Sequence, residues 1–243
     1  MAAESSPLHQ FTIERIAEIH VGGLDLSFTN SALLMLIAAG SVTLFMVLAT
    51  RGASDVPGRL QSSAEILYDF IANMLQENVG DEGRRYFPFL FTLFTFILFG
   101  NLLGMIPYSF TFTSHIVVTF AMAAVVFIGV TLIGIFHHGL HFLSFFAPQG
   151  VPKPLLVLLV PIEILSYFIR PFTLAIRLFA NMVAGHTMLV IFAGFVGSLG
   201  IFFFLPIVMD AAIVLLELLV AALQAYVFTI LSCLYLKDAI HLH

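Results

Sequence analysis

Long apolar runs alternate with short polar segments along this chain. The first three runs cover about residues 28–49, 87–106 and 113–136. Each matches the roughly 20 residues that an α-helix needs to cross the hydrocarbon core of a bilayer. The pattern therefore predicts a first span over 28–49, and a second and third span within 87–136 that are joined by a short turn.

Residues 57–80 follow a different pattern. Their apolar positions recur at helical spacing: Leu60, Ala64, Leu67, Ile71, Met74 and Leu75. Arg59, Glu65 and Asp69 occupy other faces of the same helix. A helix with one apolar and one charged face lies in the membrane interface rather than across it. We therefore expect an amphipathic interfacial helix over 57–80.

The last third of the chain contains two apolar stretches, from 155 to about 195 and from 201 to about 236. Both are longer than a perpendicular crossing requires. Because no strong helix breaker stands between Pro171 and Gly194 or after Pro206, we expect two long, tilted helices packed as an antiparallel hairpin over 155–238. With an outer N-terminal segment over 1–27, the predicted fold is all-α and polytopic, a single membrane domain over 1–243 with about five crossings.

Composition supports a membrane protein. The chain is 60% hydrophobic, contains 27 Phe and has 9% charged residues, against about 25% in a typical soluble domain. The lone cysteine, Cys233, excludes a disulfide framework and a cysteine metal site. The N-terminus does not resemble a secretory signal, and no basic stripe with interleaved aromatic residues points to nucleic acid.

Basic residues predict the orientation. Six of them fall on one side of the five-span arrangement: Arg51, Arg59, Arg84, Arg85, Lys153 and Lys237. Arg15 falls on the other side. Because basic loops are retained in the cytoplasm, we expect the N-terminus outside and the C-terminus in the cytoplasm.

The two remaining arginines, Arg170 and Arg177, lie inside the apolar region. An ionisable side chain at mid-bilayer costs roughly 2.5 to 3.5 kcal/mol on insertion scales, so it normally faces protein or water and indicates function. Glu163, Arg170 and Arg177 are spaced by seven residues. Asn181 follows four residues after Arg177, and helical periodicity places all of them in one stripe.

The second hairpin helix carries an equivalent polar stripe with heptad spacing: Asp210, Glu217, Gln224 and Asp238. Antiparallel packing about a turn near residue 200 places Arg177 level with Gln224. His186 then lies level with Glu217. Carboxylates and imidazoles can exchange protons near neutral pH, so His186 and Glu217 are a candidate proton relay.

Arginine keeps its proton under all relevant conditions, so Arg177 is a fixed positive charge that cannot pass a proton on. Two structural alternatives remain open. Arg177 could form an ion pair with Glu217 inside the hairpin. Arg170, which precedes Pro171, could satisfy freed carbonyls or contact Glu163.

Several segments resemble one known family, and the similarity extends over nearly the whole chain. They are "ILFGNLLGMIPYSF", "SHIVVTFAMA", "PIEILSYFIRPFTLAIRLFANMVAGH" and "LELLVAALQAYVFTILSCLYLKDAIH". In content and order they closely resemble subunit a of the F-type ATP synthase, with the alphaproteobacterial and mitochondrial placement of His186 and Glu217. The arginine motif together with the glutamine in the last helix is highly specific.

The resemblance implies a stator subunit in the bacterial inner membrane, beside a rotating ring of hairpin c-subunits that carry membrane carboxylates. It further implies contact with peripheral-stalk b subunits, an indirect link to the F1 sector, and two offset proton half-channels. No cofactor or metal is implied. A "GxxxxGK[ST]" phosphate loop is absent from the sequence, so we expect no nucleotide bound by this chain.

The resemblance also implies residue roles. Arg177 matches the essential arginine that separates the half-channels, with Asn181 and Gln224 as polar neighbours. His186 and Glu217 match the outer half-channel pair. The remaining acidic positions are Glu163 and Asp238 on the cytoplasmic side and Asp210 on the outer path.

Two other functions remain alternatives. A self-contained secondary transporter would require an internal repeat and discontinuous helices. A haem-binding redox subunit would require histidines facing one another in the membrane, whereas His137, His138 and His141 are expected in one loop.

Overall fold

The protein is helical along most of its length. The computed structural model describes residues 13, 15–18, 20–21, 24–25, 27–52, 54–105, 111–139, 153–196 and 204–240. Its helices are α1 (Asn30–Thr50), α2 (Arg59–Asn78), α3 (Phe87–Gly104), α4 (Ile116–His138), α5 (Lys153–Val196) and α6 (Phe204–Ile240). Within these ranges five helices, all except α2, are long and apolar enough to cross a membrane. The predicted all-α polytopic fold class is therefore confirmed.

Short strands precede α1. Strand β1 (Arg15–Ala17) pairs antiparallel with β4 (Phe28–Thr29), and β2 (His20–Val21) pairs with β3 (Leu24–Asp25). The Thr29 side chain accepts a 3.3 Å hydrogen bond from the backbone N–H of Ala32, which caps the first turn of α1. This cap explains why the helix begins two residues inside the apolar run that starts at residue 28.

Two compact units make up the chain. The first comprises Met1–Ala53, Thr95–Val118 and Leu178–Ala225. The second comprises Ser54–Phe94, Thr119–Arg177 and Tyr226–His243. Helices α3, α5 and α6 each contribute to both units, so the polar stripes of the hairpin are divided between them.

In the second unit, α2 buries one face against the start of α3. Ile71, Met74 and Leu75 are buried, and the Phe70 and Phe94 rings lie 5.7 Å apart between centroids. The connection between the two helices turns at Gly80, whose φ of 84° favours glycine. A six-residue 3-10 helix, Asp81–Tyr86, then leads into α3.

The first unit contains one half of the α5 and α6 pair. Small residues of α6, Ala221 and Ala225, are fully buried, as are Leu178 and Met182 of α5. Small side chains allow membrane helices to approach closely. With 44 and 37 residues, α5 and α6 rise about 66 Å and 55 Å at 1.5 Å per residue. Both exceed the thickness of a hydrocarbon core of about 30 Å.

The prediction that His137 and His138 lie in a loop is wrong. His137 and His138 belong to the last turn of α4 rather than to a loop, and His138 Nε2 lies 2.8 Å from the carbonyl oxygen of Ile240. This backbone contact stabilises the end of the helix. His141, the predicted turn at 106–110 and the hairpin turn near residue 200 lie outside the described residues.

Candidate functional site

The His186 ring contacts oxygen atoms through both of its nitrogens, within the first unit. Its Nδ1 lies 2.6 Å from Oε1 of Glu217 and 3.1 Å from the carbonyl oxygen of Met182. Its Nε2 lies 2.8 Å from the carbonyl oxygen of Gly104 and 3.0 Å from Oγ1 of Thr111. Proton acceptors thus face both ring nitrogens, and a doubly protonated ring would donate on both sides.

Glu217 sits opposite the ring in a dry environment. Its side chain is 2% exposed and the histidine side chain 10% exposed. Apart from the close approach of Nδ1 of His186, the Glu217 oxygens have no hydrogen-bond partner among the described residues. A carboxylate buried with one titratable neighbour can exchange a proton with that neighbour. This is the geometry that a two-group proton relay requires.

Gly185 makes the approach of Glu217 possible. A Cβ built at this glycine would lie 2.8 Å from Oε1 of the glutamate, closer than real Cβ atoms come, and 3.0 Å from its Cδ. The backbone of α5 at Gly185 therefore lies directly against the Glu217 carboxylate. Glycine at a position of close approach between helices is a packing device in membrane proteins.

We expect Gly185→Ala to displace the Glu217 carboxylate from Nδ1 of His186 and to lower the thermal stability of the purified chain. The matched control is Gly194→Ala in the same helix, where a Cβ would meet nothing within 4 Å. The melting temperatures of the two purified variants measure the difference. Equal melting temperatures would show that the close approach contributes nothing to the contact.

A second polar cluster lies further along the hairpin in the first unit. Asn181 donates a 2.9 Å hydrogen bond from Nδ2 to Oε1 of Gln224, and the Gln224 Nε2 has no partner among the described residues. Asn101 is completely buried and donates to the carbonyl oxygen of Ala221 at 3.3 Å. Gln224 therefore pairs with Asn181. The sequence predicted Arg177 at the level of Gln224, and Asn181 follows Arg177 by one helical turn.

Arg177 lies on the outer surface of α5. Its side chain is exposed, as are the neighbouring Thr173, Ile176 and Ala180. No residue in the described part of the chain forms a hydrogen bond or ion pair with it. The alternative of an ion pair with Glu217 is not what the structure has, because that carboxylate faces His186. A charge on the apolar surface of a membrane helix normally faces protein or water.

Arg170 is held differently, inside the second unit. Its Nη1 lies 3.1 Å from Oδ2 of Asp238, and its guanidinium stacks near the rings of Tyr167 and Tyr235 at 5.5 Å and 5.1 Å. The structure has this ion pair with Asp238 in place of the expected contact with Glu163. Glu163 is two turns away in the same helix, about 10 Å along the axis, whereas antiparallel packing brings Asp238 level with Arg170.

This pair predicts strong coupling in a double-mutant cycle. Arg170→Gln and Asp238→Asn should each lower the thermal stability of the purified chain, and the double variant should lose less than the sum of the two. Coupling of about 0.5 to 3 kcal/mol is usual for residues in contact. Additive losses would mean that the contact contributes nothing to stability, as happens for exposed ion pairs.

Glu163 and Asp210 complete the predicted set. Both are half-buried, and one carboxylate oxygen of Asp210 is buried without a partner among the described residues. No group of three or more potential ligands in the described ranges could hold a metal ion.

Three contributors to the site were not predicted: Gly104, Thr111 and Gly185. Only the last carries a signal in the sequence, because it directly precedes His186.

The fold and the site define a polytopic helical membrane protein with a buried His–Glu pair and an exposed intramembrane arginine. The family model of the ATP synthase A chain matches residues 32–237. Among curated relatives, "ATP synthase subunit a" of Paramagnetospirillum magneticum is 55% identical over 246 residues, covering 98% of this chain and all of the relative. Subunit a of Rhodospirillum rubrum is 54% identical, over 98% of this chain and 99% of the relative. Subunit a of Rhizobium etli is 52% identical, over 98% of each of the two chains.

The chain therefore belongs to the ATP synthase A chain family. It is an integral membrane subunit of an ATP synthase, in the inner membrane of a bacterium.

Proposed function

We propose that this chain is the proton-conducting stator subunit of the Fo sector, and that it forms two offset half-channels against a rotating ring of c-subunits. The observation that carries the proposal is the exposure of Arg177 on an apolar helix surface without a counter-charge in the described chain. A ring subunit with a membrane carboxylate supplies that counter-charge. Coupled proton pumping by a complex carrying Arg177→Ala tests it.

His186 and Glu217 form the outer half-channel in this proposal. Their 2.6 Å contact allows a proton to pass from one group to the other. Asp210 lies two helical turns from Glu217 in α6 and belongs to the same path. A proton delivered here neutralises a ring carboxylate, which can then enter lipid.

Arg177 is the barrier between the half-channels. Because guanidinium does not release its proton, protons cannot pass through this position, and an ionised ring carboxylate is held there by its charge. Asn181 and Gln224 supply amide groups near the barrier, and the Gln224 Nε2 donor remains available to water or to the ring.

The cytoplasmic half-channel leads past Glu163 and Asp238. The structure supports different roles for these two carboxylates. Asp238 forms an ion pair with Arg170, whereas Glu163 has no such partner among the described residues. We therefore assign proton release to Glu163, and to Asp238 the shaping of the outlet.

The mechanism follows from these positions. A transmembrane potential contributes about 2.3 kcal/mol per elementary charge per 100 mV, so several protons per turn supply the free energy for ATP synthesis in the soluble sector.

The N-terminus is assigned to the periplasm and the C-terminus to the cytoplasm. Most basic residues outside the apolar region fall on the same side of the membrane as the C-terminus, and basic loops are retained in the cytoplasm. Peripheral-stalk b subunits hold the chain against rotation.

The haem alternative finds no support at His186. Both ring nitrogens of His186 face protein oxygen atoms, so neither is directed at a metal position. An iron ligand presents one nitrogen to the metal and donates from the other. The geometry favours proton exchange instead.

A further inference from the structure

A polar groove lies in the second unit, at the junction of α2 and α3, and none of its lining residues belongs to the proposed proton path. Its volume is about 550 Å³, within the roughly 300 to 1,000 Å³ typical of small-molecule sites. Its lining includes Tyr68, Asn73, Asp81, Arg84 and Phe87. The groove therefore combines two opposite charges with aromatic rings.

The two charges are not paired with each other. Asp81 and Arg84 are three residues apart in the 3-10 helix, and this spacing places them on one face. Oδ1 of Asp81 accepts a 2.9 Å hydrogen bond from Nε2 of Gln76. In the described part of the chain, no ion pair is formed by either Asp81 or Arg84. An anionic and a cationic group thus remain available to one ligand.

The depth of the groove in the membrane follows from the elements that build it. Helix α2 is amphipathic and is the one described long helix that is not a candidate span, while α3, which begins at Phe87, belongs to the candidate span Asp81–Gly104. The rings of Tyr68 and Phe87 lie 4.6 Å apart between centroids at this junction. Tyrosine side chains favour the headgroup level of a bilayer. The groove therefore opens where polar headgroups meet acyl chains.

We propose that this groove binds the headgroup of a zwitterionic phospholipid with a primary ammonium group, that is, a phosphatidylethanolamine. Arg84 binds the phosphate through charge-assisted hydrogen bonds. Asp81 accepts hydrogen bonds from the ammonium group, which has three N–H donors. The acyl chains extend past Phe89, the one large apolar side chain of α3 among the exposed ones in the described residues.

Charge complementarity selects this lipid class. A purely anionic headgroup such as phosphatidylglycerol would satisfy Arg84 but place no cation at Asp81. A choline headgroup carries a cation without N–H donors, so it would lose the hydrogen bonds to the carboxylate. The proposal concerns a site distinct from the proton path and does not depend on it.

Native mass spectrometry of the purified full-length chain tests the site. The chain is incubated with phosphatidylethanolamine, phosphatidylcholine or phosphatidylglycerol of identical acyl chains, and the retained lipid is measured. Arg84→Gln and Asp81→Asn remove one charge each. Arg85→Gln is the matched control, because Arg85 is the adjacent exposed arginine and does not line the groove.

We expect preferential retention of phosphatidylethanolamine, which Arg84→Gln reduces about tenfold, as the loss of a hydrogen bond between charged groups predicts. Asp81→Asn should abolish the preference over phosphatidylcholine, and Arg85→Gln should change neither. Equal retention of the three lipids by the unmodified chain overturns the proposal. So does an equal effect of Arg84→Gln and Arg85→Gln.

Two further arms separate a lipid from other occupants. Water-soluble glycerophosphoethanolamine should not displace the bound lipid, and displacement at equal concentration would show a site for a soluble amine phosphate instead. The intact ATP synthase carrying Arg84→Gln should copurify with less phosphatidylethanolamine than the complex carrying Arg85→Gln. Equal lipid content would show that a neighbouring subunit covers the groove and would contradict the proposal.

Discussion

Arg177→Ala in the assembled ATP synthase is expected to abolish ATP-driven proton pumping while passive proton leak through the membrane sector persists. In the proposed mechanism the guanidinium is the counter-charge of the ring carboxylate and the barrier between the half-channels. Removing one partner of a buried charge pair costs about 3 to 5 kcal/mol. That corresponds to a loss of more than about 100-fold in the population of the paired state.

Two variants separate charge from surface packing in this experiment. Thr173→Ala changes the same exposed surface one turn away and should leave pumping intact, since the Thr173 hydroxyl donates only to the carbonyl oxygen of Arg170 in its own helix, at 2.9 Å. Arg177→Lys keeps a positive charge but loses the planar group of donors, so we expect pumping between that of the native chain and that of Arg177→Ala. Pumping is followed by quenching of a pH-sensitive dye in inverted vesicles.

Leak is measured in the same vesicles after removal of the soluble sector, with an imposed potassium diffusion potential. Normal coupled pumping by Arg177→Ala would refute the assignment of Arg177. Loss of both pumping and leak, with the variant chain present in the complex, would indicate that the arginine is required for conduction itself rather than for separating the half-channels.

Glu217→Gln is expected to slow proton flux by at least roughly tenfold without preventing assembly, because a positioned proton-transfer group contributes substantially to rate. Glutamine preserves the shape of the side chain but cannot exchange a proton. We expect the reduction at every pH between pH 6 and pH 8. Unchanged flux across that range would contradict the relay.

The exchange of the two groups provides a sharper test of the same contact. His186→Glu and Glu217→His should each impair flux, whereas the double variant restores an imidazole and a carboxylate in contact. Recovery above either single variant is expected if the pair acts as a unit. The limit on recovery is Gly185, because the close approach there accommodates a carboxylate more easily than a ring. No recovery in a complex that assembles normally would favour independent roles.

Sequence periodicity was sufficient for the helices and for much of the site. Apolar run length indicated five spans, and antiparallel packing about a turn near residue 200 placed His186 level with Glu217, where the structure has their side chains 2.6 Å apart. Both inferences depend only on the regular geometry of the α-helix. The amphipathic pattern of 57–80 similarly corresponds to α2, which begins at Arg59.

Contacts that depend on the detailed register of two helices, or on distant segments, could not be predicted in this way. Arg170 pairs with Asp238 because of where the antiparallel helices align, and an offset of one turn would have changed its partner. Gly104 and Thr111 reach His186 from a different part of the chain, and neither belongs to a periodic stripe. The outward direction of Arg177 likewise required the structure, since a stripe alone does not tell which side faces the neighbouring helix.

In the proposed mechanism, the exposed face of α6 has a mechanical consequence. Leu215, Leu216, Leu219 and Leu223 are all at least half exposed there. Aliphatic contacts are individually worth only about 0.1 to 0.2 kcal/mol per atom pair and have no directional preference. A ring sliding past such a surface exchanges many weak contacts for equivalent ones at each step. The surface would therefore offer little resistance to sliding. Resistance to rotation would concentrate at Arg177, the charge that carries the coupling.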